Sequence, residues 1–171
     1  MRSAWCVVGV ALVVGVGAAR PLAAQDDVGL ALGTKPAAVT LQDLDGNPVV
    51  LGKEFGKQPV LVEFWATWCP RCAALLPKLE AAHARYGDRV TFVAVAVAVS
   101  QNPPSIKRHL VRHPMPFPVL WDADGRAVRD FAAPTTSYVV VLDSAGTVAY
   151  TGAGEDQDIE TVLGRLLKNG R

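Results

Sequence analysis

Cysteine is scarce in this chain: three in 171 residues, with Cys6 lying inside an N-terminal apolar run. Fold stabilisation by several dispersed disulfides is therefore excluded. Charge of one sign is equally lacking. The formal net charge is +1, so no basic excess points to nucleic acid. Only 19% of residues are charged against 50% apolar, a balance that excludes a disordered chain and fits a globular one. The sequence shows no internal repeat and no low-complexity segment. Its length suits one domain with a sizeable core.

The apolar run, Trp5 to Ala19, is about 15 residues, shorter than the roughly 20 that span a bilayer. Arg2 precedes it, and Arg20-Pro21-Leu22-Ala23-Ala24 closes it with small residues, the layout of a secretory signal. Leu22 fits poorly three positions before a cut after Ala24, which keeps an uncleaved N-terminal membrane anchor as the alternative. Cys6 is too early in the run for a lipid-attachment cysteine. We take 1–24 as signal peptide or anchor, 25–35 as a polar linker, and 36–171 as the folded domain. Without residues 1–24 the chain carries 15 basic and 16 acidic residues, and its only cysteines are Cys69 and Cys72. A loop that short restrains little of the unfolded chain, so the pair is better explained by chemistry than by stability.

The domain begins with strand patterns at 38–41 and 49–51 around Asp45-Gly46-Asn47-Pro48, which predict a β-hairpin. Val60–Trp65 predicts a short buried strand. A helix follows from Cys69 to about Tyr86, with Leu75, Leu76, Leu79 and Ala82 inward, Thr67 as N-cap and a kink at Pro77. The continuous run Val90–Val99 suits a central parallel strand. Next come a short basic helix from Ser105 to about His113, a brief strand at Val119-Leu120 and a short helix to about Phe131. A hairpin of 137–142 with 147–151 and a helix from Asp156 to Lys168 complete the chain. The order predicts an α/β fold with a central mixed β-sheet flanked by helices.

A thiol attacks a disulfide only as thiolate. Cys69 heads the predicted helix, where free N–H groups and the helix dipole favour an anion, and Arg71 adds a positive charge. Both lower its pKa from about 8.5. Cys72, one turn in, is expected to be more buried and less acidic. This assigns Cys69 as attacking sulfur and Cys72 as the sulfur that resolves the mixed disulfide.

A bare Cys-x-x-Cys can equally be half a zinc site. Here it ends the run Phe64-Trp65-Ala66-Thr67-Trp68-Cys69-Pro70-Arg71-Cys72 after an apolar strand. That run resembles the thioredoxin superfamily and, within it, the exported TlpA/ResA-like thiol-disulfide oxidoreductases. Pro134-Thr135-Thr136 before a strand resembles the family's cis-proline loop. Residues 100–131 resemble the branch's helical insertion, and Leu44-Asp45-Gly46 with Val49-Val50-Leu51 its N-terminal β-hairpin. The resemblance covers roughly 36–167 and implies a thioredoxin-like fold.

It also implies roles. Pro134, in a cis peptide bond, would face the cysteines and leave a backbone edge for an extended substrate, with Ala133 and Thr135 beside it. Trp68 would cover the disulfide and, with Pro70 and Arg71, contact substrate. Glu63, polar in an otherwise apolar strand, matches the family's buried acid; desolvation would raise its pKa and let it take the proton of Cys72, the alternative being an edge-strand Glu that points to solvent. Two features depart from the pattern: the stretch from Asp124-Gly125 to Pro134 is shortened, and Ala133 is small where relatives contact the nucleophilic sulfur.

The resemblance favours an enzyme of the periplasm or another extracytoplasmic space. It would reduce protein disulfides, with cytochrome c maturation one setting, and be kept reduced by a membrane-bound electron donor. No cofactor is expected beyond the redox-active disulfide Cys69–Cys72, and no metal. The alternatives are a disulfide oxidase or isomerase, or a copper- or zinc-binding chaperone using the same cysteines. His109 and His113 have i, i+4 spacing, but 36 residues separate Cys72 from His109, against about 12–15 in finger patterns. They read as part of a solvated basic face with Lys107, Arg108 and Arg112. A peroxidase is disfavoured for want of a separate lone cysteine.

Overall fold

The computed structural model describes residues 29–169. The signal or anchor at 1–24 and the first part of the linker lie outside the described residues. Within those described, seven strands form one sheet: β1 (Val39–Gln42), β2 (Pro48–Leu51), β3 (Val60–Trp65), β4 (Thr91–Val97), β5 (Val119–Asp122), β6 (Tyr138–Leu142) and β7 (Val148–Ala153). Four helices accompany them: α1 (Pro70–Tyr86), α2 (Pro103–Arg112), α3 (Arg126–Asp130) and α4 (Ile159–Asn169). The sheet order is β2-β1-β5-β4-β3-β6-β7. β3, β4 and β5 run parallel, whereas β6, β7 and the β1–β2 hairpin are joined by antiparallel pairings.

β3 and β4 are apolar on both faces because both faces are covered. One face carries Leu61, Phe92, Ala94, Val139 and Val141 beneath Leu75 and Leu79 of α1 and Ile159 and Leu163 of α4. The other carries Val62, Phe64, Val95 and Val140 against Ile106 of α2, Ala127 of α3 and Phe131. Side chains alternate along a strand. Glu63 therefore shares the face of Leu61, the face that α1 covers.

The registers decide where loops meet. Trp65 lies opposite Ala96, Val97 opposite Asp122, Phe64 opposite Tyr138, and Tyr138 opposite Ala153. The segments after β3 and β4, the one before β6 and the one after β7 thus all emerge at one edge of the sheet. Cys69 and Cys72 stand at that edge.

The helix after β3 begins at Pro70, and its N-cap is Cys69, not Thr67. The residue before a proline is biased to extended backbone. Cys69 obeys, with φ −88° and ψ 107°, while Pro70 supplies a preset helical φ at the first helical position. α2 starts at Pro103, two residues earlier than expected, because Asn102 and Ser105 form a reciprocal capping box. The last part of the predicted linker is strapped down. Leu30 N–H donates to the Tyr138 hydroxyl at 2.9 Å, and Gly33 and Thr34 exchange hydrogen bonds with Val148 at 2.8 Å each.

Candidate active site

Cys69 and Cys72 form a disulfide with Cα atoms 5.3 Å apart. Cys69 is 5% exposed and Cys72 wholly buried, the asymmetry expected from their places on the helix. As N-cap, Cys69 accepts the Cys72 backbone N–H through Sγ at 3.0 Å. The first turn of α1 has no acidic residue, so nothing there offsets the positive helix end. Arg71 pairs with Glu155 at 3.6 Å, both largely exposed, which makes the pair weak and easily exchanged.

Glu63 is fully buried between Ala94 and Val139, and neither carboxylate oxygen has a hydrogen-bond partner. Desolvation alone pushes its pKa up to about 8. At neutral pH it is chiefly a protonated acid. The α1 helix that covers its face carries Cys72 in its first turn.

Trp68 is 48% exposed beside the disulfide, with its indole N–H donating to Val99 O at 2.7 Å. Pro70 is exposed at the helix start. In the segment before β6, Ala133 is half-buried and Pro134 and Thr135 are exposed. The expected cis bond is corrected: no cis peptide occurs among the described residues, so Ala133–Pro134 is trans. Pairing of β6 with β3 starts at Tyr138, which leaves Thr135, Thr136 and Ser137 between Pro134 and the strand. Ser137 immediately precedes β6, fully buried, with a left-handed φ of 58°. Gln157 fixes it there, donating from Nε2 to Ser137 O at 3.0 Å and to Gly154 O at 2.7 Å.

The histidines lie elsewhere. His109 packs against Trp65 with ring centroids 5.6 Å apart and against His113 at 4.7 Å. Partial burial, then the positive charges of His113 and Arg112, hold its pKa below the usual value. His83 packs between Phe92 and Phe117. Among the described residues no three His, Cys, Asp or Glu side chains group as a metal site. Lys107 of the basic helix pairs with Asp45 in the β1–β2 turn.

Two residues at the edge of the site are not evident from the sequence. Asp122 accepts N–H groups of Ala127 and Val128 at 3.1 and 3.0 Å, capping α3. Gln101 bonds the active-site turn from the loop after β4. An Asp-x-Asp-Gly turn signals the first weakly; nothing local signals the second.

The Redoxin family model matches residues 31–166. Thioredoxin-like protein YneN of Bacillus subtilis is 29% identical over 124 residues, 71% of each chain. Thiol-disulfide oxidoreductase ResA of Halalkalibacterium halodurans is 24% identical over 135 residues, 77% of this chain and 74% of its own. A secreted Mycobacterium tuberculosis disulfide oxidoreductase homologous to E. coli DsbE superposes with a TM-score of 0.64 at 26% identity, over 76% of this chain and 95% of that one. With a Cys69–Cys72 disulfide at a helix head on this sheet, the chain belongs to the Redoxin family, in the TlpA/ResA-like branch of the thioredoxin superfamily, and its chemistry is thiol-disulfide exchange.

Proposed function

We propose that the protein is an extracytoplasmic reductant of protein disulfides. One observation carries the mechanism: an N-capping Cys69 that keeps a small exposed fraction, a wholly buried Cys72 behind it, and a buried, unpartnered Glu63 on the face that α1 covers. In the reduced enzyme the Cys69 thiolate attacks one sulfur of a substrate disulfide. A mixed disulfide forms, and the other substrate sulfur leaves as thiolate. The minor ionised fraction of Glu63, set by its pKa of about 8, accepts the proton of Cys72, whose sulfur then attacks Cys69 Sγ. The second substrate sulfur leaves, and the Cys69–Cys72 disulfide remains. Two electrons have passed to the substrate, and a dithiol donor must restore them.

Trp68 provides an apolar contact beside the sulfur, while Arg71 and Pro70 border it. The half-buried Ala133 and the exposed Pro134 and Thr135 would offer the opposing wall. The signal-like N-terminus and the relative described as secreted support a site outside the cytoplasm, where a membrane-bound donor would supply the electrons. Maturation of cytochrome c, which requires reduced haem-binding cysteines, is one setting for such a reductant.

Trapping tests mechanism and direction together. Cys72→Ser should accumulate mixed disulfides with substrate proteins, and Cys69→Ser should accumulate none. Acid quenching and alkylation in the native compartment should find the wild-type pair chiefly reduced. A chiefly oxidised pair would make the protein an oxidase.

A further inference from the structure

The turn that carries Cys69 is held from outside its own segment. Within it, Cys69 N–H bonds to Ala66 O at 3.2 Å, closing the turn between β3 and α1. The Thr67 N–H finds its acceptor in another loop: Gln101 Oε1, at 2.9 Å. The same carboxamide turns its Nε2 to Val97 O, at 2.7 Å, at the end of β4. One donor and one acceptor are thus satisfied by one side chain, and their chemistry fixes which way the amide points. The adjoining bond from the Trp68 indole N–H to Val99 O fastens the same two loops a second time. β3 and β4 are parallel neighbours, so their trailing loops lie side by side. Gln101, half-buried between them, is the clamp.

We propose that Gln101 is a positioning residue for the attacking sulfur. It acts through the Thr67 amide. By holding that amide it fixes the path of Trp68 into Cys69, and so the angle at which Cys69 Sγ meets the Cys72 N–H. That N–H, at 3.0 Å from the sulfur, is a group placed to stabilise a thiolate. Loosening the turn lengthens the contact and returns the thiol toward its ordinary acidity. The inference rests on Cys69 being the attacking thiolate.

Gln101→Met keeps the side chain's length and removes both hydrogen bonds. Gln101→Glu keeps an acceptor for Thr67, removes the donor to Val97 and adds a negative charge near the sulfur. The rate of iodoacetamide alkylation of the reduced full-length protein is followed against pH, with the labelled cysteine located by mass spectrometry. The clamp predicts a midpoint about half a pH unit higher in Gln101→Met, a roughly threefold weaker thiolate equilibrium, and a larger rise in Gln101→Glu. A midpoint unchanged in Gln101→Met, with native-like circular dichroism, overturns the proposal. Should Gln101→Met fail to fold, Gln101→Leu, equally uncharged and lacking both hydrogen bonds, decides in its place: a midpoint equal to wild type overturns the proposal, and a raised one supports it. Wild-type labelling at Cys72 before Cys69 would instead overturn the assignment of the attacking sulfur.

Discussion

Replacing Glu63 with Gln should change how stability depends on pH. Glu63 is wholly buried, has no hydrogen-bond partner, and is lifted from 4.5 to about 8 by burial alone. The folded protein therefore holds a proton that the unfolded chain releases between these values. A carboxyl raised in this way makes unfolding easier as pH rises from about 4.5 to about 8, because the unfolded state binds fewer protons. At pH 7 the gap from 4.5 is roughly 2.5 pH units, which at about 1.36 kcal/mol per unit is about 3 kcal/mol of lost stability. Above a pH of about 8 the loss levels off at about 5 kcal/mol. The buried amide of the Glu63→Gln variant is itself unpaired, but that cost does not vary with pH. Urea unfolding of the oxidised wild type and Glu63→Gln, from about pH 4 to about pH 9, is the assay. The stability difference should move in favour of the variant by several kcal/mol across this window and be flat outside it. Parallel curves would refute a buried, protonated Glu63 and remove it as proton acceptor for Cys72.

Two further outcomes follow from the loops at the same edge. Asp122→Ala leaves the Ala127 and Val128 N–H groups uncapped and should lower stability by about 1–2 kcal/mol in urea titration, with β3 and the disulfide unaffected. Ser137 holds a φ of 58°, which proline cannot adopt, so Ser137→Pro should cost about 3 kcal/mol or more, while Ser137→Gly should stay within about 1 kcal/mol of wild type in thermal melts. Equal melting of these two variants would mean the segment before β6 is free to rearrange.

What the sequence conveys depends on whether the signal is local. Strand β4 announces itself as an apolar run, β3 as one broken only by Glu63, and α1 and α4 as inward leucines at helical spacing, because burial on both faces or one stripe leaves that imprint. Cys69, Cys72 and the polar intruder Glu63 stand out against it. The cap falls on Cys69 and not on Thr67 because the extended bias before Pro70 outweighs the capping propensity of a threonine. The loop before β6 differs from expectation for another reason. Pro-Thr-Thr is visible in the sequence, but the point where β6 begins is set by its register with β3, and that register puts Ser137 just ahead of the strand. Asp122 leaves only the weak trace of its Asp-x-Asp-Gly turn, and Gln101 none, because each satisfies backbone groups it meets only after folding. A single polar side chain that reaches Thr67 across 34 residues makes no periodicity to detect.

The capping of α1 by Cys69 has a thermodynamic reach beyond the turn it ends. A helix cap ordinarily stabilises a fold by a fixed amount, but this one is also the reagent. The sulfur receives the Cys72 N–H more favourably as an anion than as part of a disulfide. Folding and reduction then form a closed cycle. Whatever the cap adds to the reduced fold over the oxidised one must appear, equal in size, as a readiness of the folded pair to accept electrons relative to the same two cysteines in the unfolded chain. The helix terminus is thus a coupling element: it converts conformational stability into redox poise.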